Sequence, residues 1–145
     1  MASLGNTSMT RLNSCERDIQ TILLEAIKIY DFSVTFGHRS PETQFELFKK
    51  GRKEVRGVWQ IDDKDKIVTY KDGYEKQSRH NSDPSKAVDI VPYPIDWHDI
   101  NRFHQLNGVI LAVQDRLLRD GKITKTLTWG GNWKSFIDYP HYQIK

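Results

Sequence analysis

At 145 residues the chain has the length of one domain and can bury a core unaided, and its single cysteine, Cys15, excludes an internal disulfide or a multi-cysteine zinc cage. Apolar residues at 37% and charged residues at 28% are a soluble balance. No apolar run approaches a membrane span, and the net charge of +3 suits an anionic partner without defining one.

Taken in order, Met1–Met9 read as a frayed N-terminus. Met1–Thr10 lack the basic and apolar segments of a secretory signal, so synthesis in the cytoplasm is expected, with any export left to other machinery. Ile19, Ile22, Leu23, Ala26, Ile27 and Tyr30 recur at helical spacing and predict one helix from Asn13 to about Ile29, capped by Asn13 or Ser14. In that pattern Cys15 reads as a buried, inert thiol. Phe32-Ser33-Val34-Thr35-Phe36 alternates as a strand, with Phe32, Val34 and Phe36 on one face. Gly37 then presents His38-Arg39-Ser40, and Ser40-Pro41-Glu42 is a helix start that carries Gln44, Phe45, Leu47 and Phe48 before Gly51.

From Arg52 to Gln77 the pattern weakens into a long loop with a short hairpin expected around Asp62–Asp65. Loops of this length are usually lids or binding segments. A strand follows from Ala87 to Val91. A long helix is expected from about Asp99 to Arg119, on a stripe of Phe103, Leu106, Val109, Ile110, Val113, Leu117 and Leu118. Leu127-Thr128-Trp129 is a short strand, Gly130-Gly131-Asn132-Trp133 a turn, and His141–Ile144 an extended end. Helices and strands mix without a βαβ alternation, which predicts an α+β fold in one domain over 1–145.

The chemistry centres on Ser78–Ile90. His80 and Asp89 stand nine residues apart across a turn, so an imidazole and a carboxylate can face one centre. Those ligand types suit zinc. Near the C-terminus, His141 can supply a third ligand, while Asp138, three residues earlier, stands close by as a base. Three protein ligands would leave one zinc position open, the catalytic rather than the structural pattern. Arg39, at the mouth of a strand, could hold a carboxylate or stabilise an oxyanion. Spacing alone leaves alternatives open: His80 as a surface-loop imidazole, Asp89 as a turn-side cap, His141 as an edge-strand residue. His38 is expected beside Arg39, His98 at a helix start and His104 opposite the core stripe, none of them a ligand.

Gly37-His38-Arg39-Ser40, the Ser78-Arg79-His80 to Ala87-Val88-Asp89 block, and Trp129-Gly130-Gly131-Asn132-Trp133 with Asp138-Tyr139-Pro140-His141 carry a resemblance. In order and content they resemble the zinc D-alanyl-D-alanine carboxypeptidase and L-alanyl-D-glutamate endopeptidase family, in particular its single-domain phage endolysins. The likeness runs from about Thr35 to Ile144. It implies a hedgehog- and DD-peptidase-like α+β domain whose small antiparallel sheet, packed with helices, holds one Zn2+. It also implies His80, Asp89 and His141 as ligands, Asp138 as general base and Arg39 as the arginine that polarises the scissile carbonyl or anchors substrate. Ser78 would support the first ligand, and Gln44 and Trp129 complete the supporting set. Two departures stand out. The family motif keeps its histidine and aspartate seven apart with a glycine four before the aspartate, whereas here the gap is nine and Ser85 takes the glycine's place. The two added residues fall within Ser82-Asp83-Pro84, a turn expected to bulge outward, with Asp83 a weaker rival ligand.

The resemblance implies a peptidoglycan hydrolase cutting a stem-peptide amide, expected to be an L-alanyl-D-glutamate endopeptidase that acts as a phage endolysin. It would wait as a monomer in the host cytoplasm and reach the wall after membrane disruption, without inserting into the membrane. A D-alanyl-D-alanine carboxypeptidase or dipeptidase is the alternative within the class, and a non-catalytic, zinc-containing wall-binding domain the alternative outside it. Asp138 argues against the latter, because a binding module has no use for a base beside the metal. Lys49, Lys50, Arg52, Lys53 and Arg56 lack an aromatic platform and read as a solvated face, so no nucleic acid is expected.

Overall fold

The structure, a computed structural model, describes residues 1–145. Helices α1 (Asn6–Asn13) and α2 (Arg17–Ala26) precede β1 (Phe32–Phe36), α3 (Pro41–Lys49), β2 (Arg52–Val55) and β3 (Val58–Ile61). Then come β4 (Ala87–Pro92), α4 (Ile100–Arg119), β5 (Leu127–Trp129) and β6 (His141–Ile144). Four strands form an antiparallel sheet in the order β1-β4-β6-β5, and β2 and β3 form a separate hairpin. This is the expected α+β architecture.

Strand alternation divides the sheet into two faces. Val34, Val88, Ile90, Tyr142, Ile144, Leu127 and Trp129 join Ile19, Ile22, Leu23, Phe103, Leu106, Ile110 and Val113 of α2 and α4 in one continuous core. Fully burying each such aliphatic side chain is worth roughly 1.5–3 kcal/mol. The other face is left for chemistry. Asp89 of β4 pairs with His141 of β6 and with Phe36 of β1, so register alone sets these three side by side on it. The ladder shifts register between Val34 and Phe36, which turns Phe36 away from the core stripe expected for it.

The N-terminus departs from expectation. Met1–Met9 are not a frayed tail, because α1 begins at Asn6. Its weakly apolar sequence gives no helical signal. The helix is held by tertiary contacts along the outer edge of β1, where Ser8 Oγ accepts from the Val34 N–H (3.0 Å) and Arg11 donates to the Val34 carbonyl (3.0 Å). An edge strand left open invites pairing with other chains, and α1 closes it.

The single helix expected from Asn13 to Ile29 is also broken. Asn13 ends α1, Ser14 is its C-cap, and Glu16 precedes α2. At the break Cys15 and Ser85 form a parallel bridge: the Glu16 N–H donates to the Ser85 carbonyl and the Ser85 N–H to the Ser14 carbonyl, both at 2.9 Å. Ser14 Oγ accepts from the His38 N–H (2.8 Å). The helix breaks because its backbone is used to clamp two loops of the site.

The hairpin lies earlier than expected. Val55 pairs with Val58 across Arg56-Gly57, both with positive φ (52° and 78°), as a two-residue I′ turn requires. Asp62–Asp65 lie outside it, and Lys64–Lys66 form a 3-10 turn. In α3, Ser40 caps as expected, its Oγ accepting from the Thr43 N–H (3.1 Å). Phe45 of α3 packs edge-on to Trp59 of β3 and to Tyr74, a small aromatic cluster apart from the main core. Val68–Lys71 form a wall over the open face of the sheet, held in part by Arg52 donating to the Thr69 carbonyl (3.0 Å).

Candidate metal centre

Each of the three ligand-type side chains has its own positioning device. His80 sits in a 3-10 turn, Arg79–Asn81, closed by a reciprocal cap: Ser78 Oγ accepts from the His80 N–H (3.2 Å) and Asn81 Oδ1 from the Ser78 N–H (2.7 Å). The expected supporting bond from Ser78 is therefore present, made to the His80 backbone. The ring is fixed separately, with His80 Nδ1–H donating to the Gly37 carbonyl at 2.7 Å. Gly37 permits this because a Cβ there would run into the Arg11 carbonyl and Ser14 Oγ. Asp89 and His141 come from paired strands. His141 Nε2 lies 2.9 Å from Gln143 Oε1, two residues along the same face, and donates to it.

These second bonds decide the chemistry of the centre. With Nδ1 of His80 and Nε2 of His141 donating outward, His80 Nε2 and His141 Nδ1 turn lone pairs inward, 3.2 and 3.1 Å from the same Asp89 Oδ1. All three donor atoms lie within 4.8 Å of one another and all three residues are buried. Three lone-pair donors meeting at one point, with Asp89 the only charge among them, is an arrangement a divalent cation resolves. The group can therefore bind a metal ion.

Behind it stands Arg39, only 8% exposed. Its Nη2 donates to Asp89 Oδ2 (2.7 Å), its Nη1 to Gln44 Oε1 (3.3 Å), and its guanidinium lies 4.0 Å from the centre of the Phe36 ring. The Asp89 carboxylate is thus divided, one oxygen for the histidine pair and one for Arg39. Gln44 is fully buried and joins Arg39 to the wall by donating to Thr69 Oγ1 (3.2 Å) and the Lys71 carbonyl (3.0 Å).

The electrostatics follow from this packing. Burial pushes His80 towards its neutral form, against the pull of Asp89. Burial acts the same way on His141, but hydrogen bonding and charge from Asp89 outweigh it and raise its pKa. A proton therefore competes with a metal at this imidazole. Burial would raise Asp89, yet in the metal-free centre, where the inward ring nitrogens can carry protons, the charge of His80, hydrogen bonds from His141 and His80, and the charge of Arg39 hold it far below the usual carboxylate range. Asp138 is the opposite case. It is half-buried, and burial followed by the negative charge of Asp89 raises its pKa from 3.8 to about 6.

That shift has a consequence for stability. A carboxyl whose pKa is raised by folding contributes stability that is full below its unfolded pKa of 3.8 and lost as pH rises through about 6. In metal-free protein, Asp138→Asn should therefore raise the unfolding free energy at pH 7.5 by up to about 2 kcal/mol and change it little at pH 4. Thermal melts at the two pH values check this, and equal stability of variant and parent at both would contradict it.

The centre lies on the floor of a cleft of about 740 Å³, lined also by Asp138, Arg39 and Ser78, with Tyr70, Trp133 and Phe136 among its walls. Asp138 is held by backbone contact, its N–H donating to the Gly130 carbonyl at 3.0 Å. A Cβ on Gly130 would collide with the Asp138 carbonyl, so this position needs glycine. Trp129 is on the opposite face of the sheet, in the core. It reaches the site only indirectly, its indole N–H donating to the Tyr139 carbonyl (2.7 Å) next to Asp138. Asp83 is exposed and outside the cluster. His38 does not pack on Arg39 but is exposed, its ring bonded to the Ser82 carbonyl (2.9 Å). His98 and His104 are exposed and outside the cluster, and the His104 ring, expected opposite the core stripe, packs edge-on to the core residue Trp129 (5.1 Å between ring centres).

The lengthened His80–Asp89 connection bulges only in part. Asp83 and Pro84 are exposed, while Ser85 is fully buried in the bridge to Cys15. Sequence reasoning missed Gln143, Asn81, the Gly37 carbonyl and Trp133, whose ring centre is 5.1 Å from that of His141. Gln143 had a readable signal, two positions from His141 on a strand, whereas the others depend on long-range packing.

Fold and site together define a small α+β structure with a buried, two-histidine, one-carboxylate metal-type centre at the base of a cleft. The model of the phage L-alanyl-D-glutamate peptidase family matches residues 1–144, and the chain belongs to that family. The peptidoglycan L-alanyl-D-glutamate endopeptidase CwlK of Bacillus subtilis (strain 168) is 34% identical over 121 residues, 82% of this chain. The chain spans 64% of that relative's length. The crystal structure of the Serratia marcescens L-Ala D-Glu endopeptidase ChiX shares the fold, with a TM-score of 0.64 at 23% identity over 99% of this chain and 90% of the other.

Proposed function

We propose that this chain is a zinc-dependent peptidoglycan peptidase that cuts the amide between L-alanine and D-glutamate in the stem peptide, and that it serves as a phage endolysin. The observation that carries this reading is the convergence of His80 Nε2, Asp89 Oδ1 and His141 Nδ1 beside a half-buried carboxyl at Asp138. Family membership and the likeness to CwlK supply the bond and the polymer. Two imidazoles and one carboxylate are a donor set that zinc favours. When bound, zinc supplies Lewis acidity towards a carbonyl oxygen and an attacking water.

The remaining roles belong to the chain. Asp138 takes the proton of the attacking water and passes it to the departing amine, a task suited to a carboxyl whose pKa is raised to about 6. Arg39 fixes Asp89 through Oδ2, leaving Oδ1 turned to the histidine pair, and places a positive charge beneath the cleft. Gln44 holds Arg39 against the wall segment, and Trp129 steadies the Tyr139 backbone behind Asp138. Tyr70, Trp133 and Phe136 give the cleft apolar walls that restrict water around the reacting amide. In its biological setting the protein would act from the host cytoplasm once the membrane is breached.

Digestion of purified sacculi, followed by mass spectrometry of the new amino termini, tests the assignment. The reading expects D-glutamate as the new terminus. Release of D-alanine alone would overturn it in favour of a carboxypeptidase.

A further inference from the structure

The cleft has a charge pattern that the metal centre does not use. Its two acids, Asp89 and Asp138, are both on the floor, and Arg39 is committed to Asp89. The other cations that line it, Lys71, Arg79 and Lys86, are exposed. None of the three forms a salt bridge, although other cations of the chain do. Arg79 and Lys86 are also displayed together on a fixed support. Arg79 immediately precedes His80 in the capped 3-10 turn, and Lys86 immediately precedes the strand of Asp89. The Lys86 N–H donates to the Arg79 carbonyl (3.1 Å) and to Ser82 Oγ (3.0 Å), and the Lys86 carbonyl accepts from the Ile144 N–H (2.9 Å). Buried Ser85, bridged to Cys15, anchors the loop between them to the α1–α2 break. Two unpaired cations thus stand on one clamped segment whose ends carry two of the three ligand-type residues.

Chemistry at the scissile bond gives such a pair an occupant. A glutamate whose nitrogen is in the bond to be cut has two carboxyl groups. Only one of them can continue the peptide, so the other is free, a few bonds from the scissile nitrogen. Resting on the proposed function, we propose that Arg79 and Lys86 form a carboxylate-reading subsite that selects stem peptides in which this group is free and rejects those in which it is amidated. A guanidinium paired with an ammonium suits a carboxylate, and its like charges gain from neutralisation. A primary amide has no charge to offer and only one accepting oxygen, so in the two-oxygen pose of a carboxylate its NH2 would face a cation.

Two synthetic stem peptides, identical except that the glutamate carboxyl outside the chain is free in one and amidated in the other, provide the test with zinc-loaded protein. Wild type should cleave the free acid with a kcat/KM about tenfold higher, the scale of one charge-assisted hydrogen bond at a part-exposed site. The preference should shrink as ionic strength rises. Arg79→Gln with Lys86→Gln should cleave the two peptides at similar rates, whereas Lys71→Gln should keep the preference. Equal cleavage of both peptides by wild type, or a preference that survives the double substitution or vanishes with Lys71→Gln, would overturn the subsite and leave the endopeptidase reading standing. Cleavage of neither peptide at the alanyl–glutamate bond would overturn both.

Discussion

Replacing Asp138 by Asn is expected to lower kcat by about 10²–10⁴-fold while leaving the metal content of the protein unchanged. Asn preserves the shape of the side chain, and neither carboxyl oxygen of Asp138 belongs to the three-residue cluster. What it removes is the group that accepts a proton. Burial and the neighbouring Asp89 carboxylate place that group near pKa 6, so most of it is ionised at pH 7.5 and ready to act as a base. Steady-state kinetics with metal analysis on the same sample separate this from loss of the centre. A variant with full metal and wild-type kcat would remove Asp138 from the mechanism. The same substitution should stabilise the metal-free fold, and opposite effects on activity and stability are the signature of a side chain held in place for function.

Asp89→Ala should be the most damaging single change in the site. It removes one of the three ligand-type residues and also strands Arg39, whose Nη2 loses its 2.7 Å bond while its Nε already has no partner. Breaking a buried ion pair from one side typically costs about 3–5 kcal/mol, because a charge is left without compensation. Chemical denaturation of the metal-free protein should show a loss of that size, so that metal binding is excluded from the comparison. Adding Arg39→Met should recover a substantial part, about 2 kcal/mol or more, since the stranded charge is then gone. Recovery would identify Arg39 as the counter-charge of Asp89. A loss below about 1 kcal/mol, or no recovery, would show that the pair contributes little to the fold.

Much of this arrangement was legible in the sequence, for reasons that can be named. The strands at Phe32, Ala87, Leu127 and His141 are short runs of β-formers bounded by turn residues, and α4 repeats its apolar stripe over five turns. Ser40-Pro41 marks the start of α3 through capping chemistry that needs no tertiary partner. The failures share the opposite property. Helix α1 exists because Ser8 and Arg11 reach the edge of β1, and the break at Cys15 exists because Ser85 pairs there, contacts that no local pattern records. The I′ turn at Arg56-Gly57 was hidden because arginine is an uncommon residue at positive φ.

The site divides in the same way. His80 with Asp89 and Asp138 with His141 could be found as two short-spaced pairs of rare chemistry, and the family resemblance joined them across the 52 positions from Asp89 to His141. Their controls could not. The Gly37 carbonyl that orients His80, and the way Asp89 is shared between the histidines and Arg39, appear only when β1, β4 and β6 are laid side by side. Trp129 illustrates the converse error, a conspicuous residue in the right motif that turns out to face the core.

The proposed activity depends on one centre built from His80, Asp89 and His141. Its most direct test is the zinc content per chain of the purified, zinc-equilibrated protein and of the three single alanine variants. One zinc per chain is expected in the parent and a loss of stoichiometric zinc in each variant. Full zinc retained after removal of any one of the three, or a parent that holds none, would contradict that centre.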